Sequence, residues 1–216
     1  MSVNLKTPLA FAAATIAAAI LLSNPTQAYV TNGVSWGTVP VTYFINTTNM
    51  DLPDASAEAA VQAGVNVWAA QSGASVGFTY AGRSSQTTNT NDGINLVVFR
   101  NASSGSAIAT TYWWSSNSRI IDADIVFWDG AFQFFAGSTG CTNGFYIEDI
   151  AAHEFGHALG MGHSASAAAT MYPSTSSCDM RNRTLDSDDI AGILSLYPAT
   201  SAPPEPPNNL RIVSSN

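Results

Sequence analysis

The alternation of apolar and polar positions divides the chain into short strands and a few helices. Val41-Thr42-Tyr43-Phe44-Ile45-Asn46, a β-branched and aromatic run after Pro40, predicts a strand. Asp51-Leu52-Pro53-Asp54 has the composition of a helix start, and Ala59, Ala60, Ala63, Val67 and Trp68 then repeat at helical spacing to about residue 70. Strand patterns return at 76–80, 94–100, 107–114 and 120–128, with a polar loop at 83–91. Residues 130–144 show no period and read as irregular. A helix is expected over about 146–159. A last helix is expected over 186–196, with Leu185, Ile190, Ile193, Leu194 and Tyr197 available to the core. This order predicts an α+β layer fold with a mixed sheet. No internal repeat is present.

The two ends depart from this pattern. Residues 1–28 read as a secretory signal: Lys6 supplies a weakly positive start, 9–22 is an apolar run too short to span a bilayer, and Thr26-Gln27-Ala28 suits cleavage. An uncleaved N-terminal anchor is the alternative. The expected organisation is therefore a signal at 1–28, one globular domain at 29–199, and a proline-rich linker or tail at 200–216, where Pro203-Pro204-Glu205-Pro206-Pro207 favours extended chain. A secreted, extracellular product follows, with no stable membrane insertion after signal removal.

Composition narrows the function. Hydrophobic residues make up 46% and charged residues 10%, enough for a packed core. The formal charge is −8; without Lys6, six arginines face fifteen acids, giving −9. That balance excludes a basic nucleic-acid face. The two cysteines, Cys141 and Cys178, suggest a disulfide in an exported chain, with two free thiols as the alternative.

The chemistry concentrates in one stretch. All three histidines lie in His153-Glu154-Phe155-Gly156-His157-Ala158-Leu159-Gly160-Met161-Gly162-His163, which satisfies H-E-x-x-H-x-x-G-x-x-H at each fixed position. His153 and His157, four apart on a helix, leave the same face one turn apart and can chelate one zinc ion. Glu154, about 100° further round, can hydrogen-bond a zinc-activated water without becoming a ligand. Gly160 can take a left-handed conformation and stop the helix, so that His163 reaches the same ion. Three protein ligands leave a fourth position open, as catalytic zinc sites do. The reading is zinc-dependent peptide hydrolysis, with Glu154 as general base and then acid. A serine triad is disfavoured, because no fourth histidine exists to activate Ser164 or Ser166.

With its surroundings, this stretch resembles the matrixins, within the metzincin class of zinc peptidases. Trp36, the run from Val41 to Asn46, Asp51-Leu52-Pro53 and Trp68 resemble a matrixin's first strand and helix. Ala151-Ala152 through His163-Ser164 is similar to the zinc helix, and Ala169-Thr170-Met171-Tyr172-Pro173 to the Met-turn. Leu185-Asp186-Ser187-Asp188-Asp189-Ile190 with Leu196-Tyr197 is similar to the C-terminal helix. The resemblance covers about 34–198. It implies a metzincin-like fold, with a mixed twisted sheet, a long zinc-binding helix and a C-terminal helix. It also implies one catalytic zinc, Met171 as a hydrophobic base beneath it, and protein or peptide substrates paired along the strand near Ile108, Ala109, Thr110 and Thr111. Pro173 would wall the pocket for the residue after the scissile bond. Calcium is a further implication, with Asp92-Gly93, Asp122, Asp124 and Asp129 offering oxygen ligands; solvated loop carboxylates are the alternative.

The departures point to a minimal form. No histidine remains for a second, structural zinc, and both cysteines come too late for a cysteine-switch propeptide. Thr175 replaces the family's tyrosine two residues after the Met-turn proline. Rival readings are a binding module on an inactive scaffold, which the presence of Glu154 disfavours, and zinc hydrolysis of a non-protein amide.

Overall fold

The computed structural model describes residues 27–199. The expected signal segment, apart from its last two residues, and the proline-rich tail lie outside the described residues. The elements run β1 (Ser35–Trp36), β2 (Val41–Asn46), α1 (Asp54–Gln71), β3 (Phe78–Arg83), β4 (Asn95–Phe99), β5 (Ala109–Ser116), β6 (Arg119–Phe127), β7 (Phe134–Phe135), β8 (Phe145–Tyr146), α2 (Ile147–Ala158) and α3 (Ser187–Leu196), with a short 3-10 turn at Arg181–Arg183 before α3.

One mixed sheet organises the molecule. β3, β2, β4 and β6 lie side by side and parallel, β1 joins the start of β6, and β5 pairs antiparallel with β6. Helix α1 makes the crossover that parallel β2 and β3 require. Leu96, Val97, Val98 and Phe99 are all buried, so β4 reads as a continuous apolar run. Val97 and Phe99 join the main core; Leu96 and Val98 join a smaller cluster with Val126 and Trp128.

Three details differ from the expectation. β3 runs on to Arg83, because a register shift in its ladder with β2 pairs Ile45 with Arg83, and Gly82, at φ 112°, absorbs it. β5 extends to Ser116, because Asn117 and Ser118, both at positive φ (51° and 60°), form a two-residue hairpin turn into β6. The stretch 130–144 holds β7, which pairs with β8.

The position of α2 is fixed by α1. Trp68 is fully buried, and its indole N–H donates to the Ala152 carbonyl at 2.7 Å, one residue before His153. On the other side of α2, Phe155 meets Tyr43 and Phe78 edge-on at centroid distances of 5.3 and 4.8 Å. The helices approach closely at Gly64, where a Cβ would lie 2.5 Å from the Glu148 carbonyl oxygen and 2.7 Å from the Ala151 Cβ. Helix propensity alone favours Gly64→Ala by about 1 kcal/mol. The contact dominates, so the variant is expected to lose about 1–3 kcal/mol in denaturant unfolding. A gain in stability would contradict this account of the α1–α2 interface.

Candidate metal centre

The three imidazoles converge. The Nε2 of His157 lies 3.1 Å from that of His153 and 3.2 Å from that of His163. Behind them, His153 Nδ1 is 2.7 Å from the Thr170 carbonyl and His157 Nδ1 is 2.9 Å from the Met161 carbonyl. A carbonyl can only accept, so both Nδ1 atoms carry the proton and both Nε2 atoms present lone pairs. Burial lowers the pKa of His153 and of His157 to about 4, keeping both neutral. Lone pairs this close repel unless a cation lies between them. Ligands at roughly 2.0–2.1 Å on a tetrahedral ion sit about 3.3 Å apart, so this donor set fits zinc. Among the described residues, no other group of three or more His, Cys, Asp or Glu side chains is gathered for one ion.

The loop beyond α2 closes the set. Gly160 takes φ 97°, ending the helix as the motif predicts, and a Cβ there would strike the Val34 carbonyl. Ser164, next to His163, donates to Asp188 of α3 at 2.6 Å, and the backbone N–H groups of Ala28 and Tyr29 reach the other oxygen of Asp188. The adjacent Asp189, fully buried, accepts from the backbone N–H groups of Thr170 and Met171 at 2.7 and 3.0 Å. It also closes a capping box on α3 with Asp186. Met171, fully buried, presses on α2 at Gly156, where a Cβ would collide with its sulfur. Nothing in the motif spacing reveals Asp188 and Asp189 as the struts of this loop.

Glu154 is buried, and burial raises its pKa. Its Oε2 accepts from the Thr111 hydroxyl at 2.6 Å, and Oε1 has no protein partner among the described residues. Thr111 was expected only as part of a strand edge. Strand alternation gives it this contact, while the neighbouring Thr110 accepts from the Trp128 indole at 2.9 Å.

A cleft of about 390 Å³ opens at the histidines. Ile108, Ala109, Thr110 and Thr111 line one rim; Tyr172, Pro173, Ser174 and Thr175 line the other. β5 pairs only with β6 among the described strands. The second rim is braced twice: Cys141 and Cys178 form a disulfide with Cα atoms 5.6 Å apart, and Arg181 donates to the Ser174 carbonyl at 2.7 Å.

Comparison with known proteins gives the family of the chain. A family model described as matrixin matches residues 35–198. The chain belongs to the matrixin family. Identity is 44% over 71 residues with matrix metalloproteinase-27 of Tupaia belangeri (33% of this chain, 14% of that one). It is 46% over 57 residues with human neutrophil collagenase (26% and 12%). It is 49% over 55 residues with metalloendoproteinase 1-MMP of Arabidopsis thaliana (24% and 14%). The aligned stretches thus span 12–14% of these relatives' own length.

In this matrixin the acidic residues considered for calcium hold loop backbone. Asp122 accepts from the N–H groups of Asp92 and Gly93, and Asp124 from those of Thr90 and Leu96. Burial pushes the Asp124 pKa up to about 7. Asp129 accepts from Met50 N–H at 2.7 Å with one oxygen, while the other is buried without a partner among the described residues. Burial, with the nearby Asp51 charge adding to it, raises the Asp129 pKa to about 6. A carboxyl whose folded pKa lies above its unfolded value of about 3.9 stabilises below that value, and loses the contribution as pH rises through the folded pKa. Asp129→Asn keeps a carbonyl for Met50 and removes the titration. In metal-free protein, its stability relative to wild type is expected to rise by about 1–3 kcal/mol between pH 4 and pH 7. Paired thermal unfolding at both pH values measures this, and a constant difference would refute it.

Proposed function

We propose that this matrixin is an extracellular zinc endopeptidase in which His153, His157 and His163 hold the metal and Glu154 moves the proton. The observation that carries the reading is the convergence of three Nε2 atoms, two of them left with lone pairs by carbonyl acceptors behind, beside a buried carboxylate with one free oxygen. The catalytic unit corresponds to the matched residues, within the 29–199 region expected to remain after removal of a signal at 1–28.

Zinc, when bound, supplies Lewis acidity that polarises a carbonyl and eases ionisation of water. The chain supplies position and proton transfer. An extended peptide lies along the outer edge of β5, where main-chain hydrogen bonds hold it independently of its side chains. Glu154 Oε1, left free by the Thr111 contact on Oε2, takes the proton of the attacking water and delivers it to the leaving amine. Its raised proton affinity suits both halves of that transfer. Met171 supports the helix beneath the histidines through Gly156 and offers no proton chemistry.

The test is cleavage of an unfolded protein such as casein by the purified protein and by Glu154→Ala at equal zinc content. The variant is expected to lose about 10²–10⁴-fold in rate. Chelation should abolish wild-type cleavage, and added zinc should restore it. Equal cleavage by wild type and variant would defeat the reading.

Thr111 yields a finer expectation. Thr111→Val should lower kcat about tenfold with little change in KM, since a hydrogen bond to a charged group is worth about 1.5–3 kcal/mol. Thr111→Ser should keep most of the wild-type rate. Steady-state kinetics on one peptide distinguishes this from a binding effect, which would move KM instead.

A further inference from the structure

One rim of the cleft has almost no core beneath it. From Tyr172 to Arg181 no residue is buried, and the facing loop at 138–143 is likewise exposed or half-exposed throughout. Few apolar contacts oppose the opening of such stretches, so they lie at the low-stability end of a fold. Yet Tyr172, Pro173, Ser174 and Thr175 line the cleft.

The chain on either side of this rim is locked. Before it, Met171 is fully buried and Asp189 grips the N–H groups of Thr170 and Met171. After it, Asn182 is buried, and Arg183 pairs with Asp149 at 2.7 Å and with Glu148 at 2.9 Å. Two holds act within the rim. Arg181 fixes the near part: it donates to the carbonyls of Ser174 and Ala167 at 2.7 and 3.2 Å, and its guanidinium lies 5.8 Å from the centroid of the Tyr172 ring. The far part is fixed at Cys178. Its N–H donates to the Gly144 carbonyl at 2.9 Å, the Ser177 hydroxyl accepts from the Gly144 N–H at 3.0 Å, and the bond to Cys141 closes the same contact. Thr175 lies between the two holds. Gly144 is buried and leads directly into β8 and α2, so the bridge ties the rim to the frame that carries His153. Both cysteines are half-exposed, within reach of a reductant.

We propose that the Cys141–Cys178 disulfide is a redox-sensitive positioning device: oxidised, it holds the 172–180 rim ready for an extended substrate; reduced by a dithiol, it releases the rim and weakens substrate capture without disturbing the histidine cluster. The inference rests on the peptidase reading above and adds a means of regulating the same site. In the exchange, one thiolate of the reductant attacks a bridge sulfur, and its second thiolate then displaces the mixed disulfide. The protein's S–S bond breaks and two Cys thiols form. Two electrons and two protons pass to the protein, and the reductant closes its own disulfide. The oxidised rim is ordered before substrate arrives, whereas the reduced rim must be ordered by it, so binding weakens. The histidines keep their supports, because Thr170, Met161 and Asp189 lie outside the released stretch.

The test compares folded, zinc-loaded protein before and after treatment with a phosphine reductant, chosen because a thiol would compete for zinc. Alkylation should count two thiols per chain. KM for a peptide substrate should then rise about tenfold, with kcat and bound zinc unchanged. Hydrogen exchange should quicken in 172–181 and 138–144 and stay slow in α2 and α3. Reoxidation should restore KM, and the Cys141→Ser/Cys178→Ser double variant should match the reduced protein. Reduction acts on chains already folded, so the answer does not depend on the double variant folding. Absence of thiols without denaturant, an unchanged KM once two thiols have appeared, or loss of zinc and kcat together with KM overturns the assignment of the bridge. Failure of oxidised, zinc-loaded wild type to cut peptides or casein overturns the peptidase reading instead, and the exchange measurement still tests the release of the rim.

Discussion

Three imidazole nitrogens held about 3 Å apart are the constraint on which the rest of this structure depends. Two of them, on His153 and His157, present lone pairs that repel. The protein therefore fixes them from behind with carbonyl groups of Thr170 and Met161, neither of which belongs to a regular element. Those carbonyls are useful only if the loop carrying them is rigid. Asp189 grips the N–H groups of Thr170 and Met171, and Asp188 grips Ser164 and the segment at Ala28 and Tyr29. The first turn of α3 is thus a clamp on the loop behind the histidine cluster.

The other side of the constraint is the placement of α2 itself. Trp68 holds the backbone one residue before His153, and Gly64 lets α1 approach near van der Waals contact. Phe155 faces the opposite way, into Tyr43 and Phe78 on the sheet. With α2 wedged between α1 and the sheet, its histidine face turns to the cleft beside β5. The hairpin turn at Asn117 and Ser118 lets β5 fold back along the whole of β6, which keeps Thr111 level with Glu154.

Much of this was legible in the chain. The period of α1, the apolar runs of β2, β4 and β6, the glycine stop at Gly160 and the acidic start of α3 are local signals, and local physics decides them. The convergence of the three histidines was legible for the same reason: their spacing encodes one helix face and one turn. What escaped depended on register or on distance in sequence. Which of Thr110 and Thr111 turns to the site is a parity question, set by a strand start that composition placed two residues early. β3 was cut short because a bulge at Gly82 carries no hydrophobic signature. The contacts of Asp189 with Thr170 and of Asn182 with Asp149 span 19 and 33 residues, and nothing in either neighbourhood announces them.

Burial alone does not separate Glu154 from the structural carboxylates; its combination of incomplete saturation and a place on the cleft does. Asp122, Asp124, Asp149, Glu154 and Asp189 are all buried, and burial pushes all five toward the neutral form. Asp189 has both oxygens filled by backbone N–H groups, as has Asp124, and Asp149 spends both on the 182–183 turn. Groups so filled are locked into one role. Glu154 has one oxygen held by a hydroxyl that can rotate and one facing the cleft, so its proton can arrive and leave without breaking the frame. Asp122 and Asp129 also keep an oxygen without a partner among the described residues, but neither lines the cleft, so Glu154 is the buried acid whose carboxylate a bound peptide could reach.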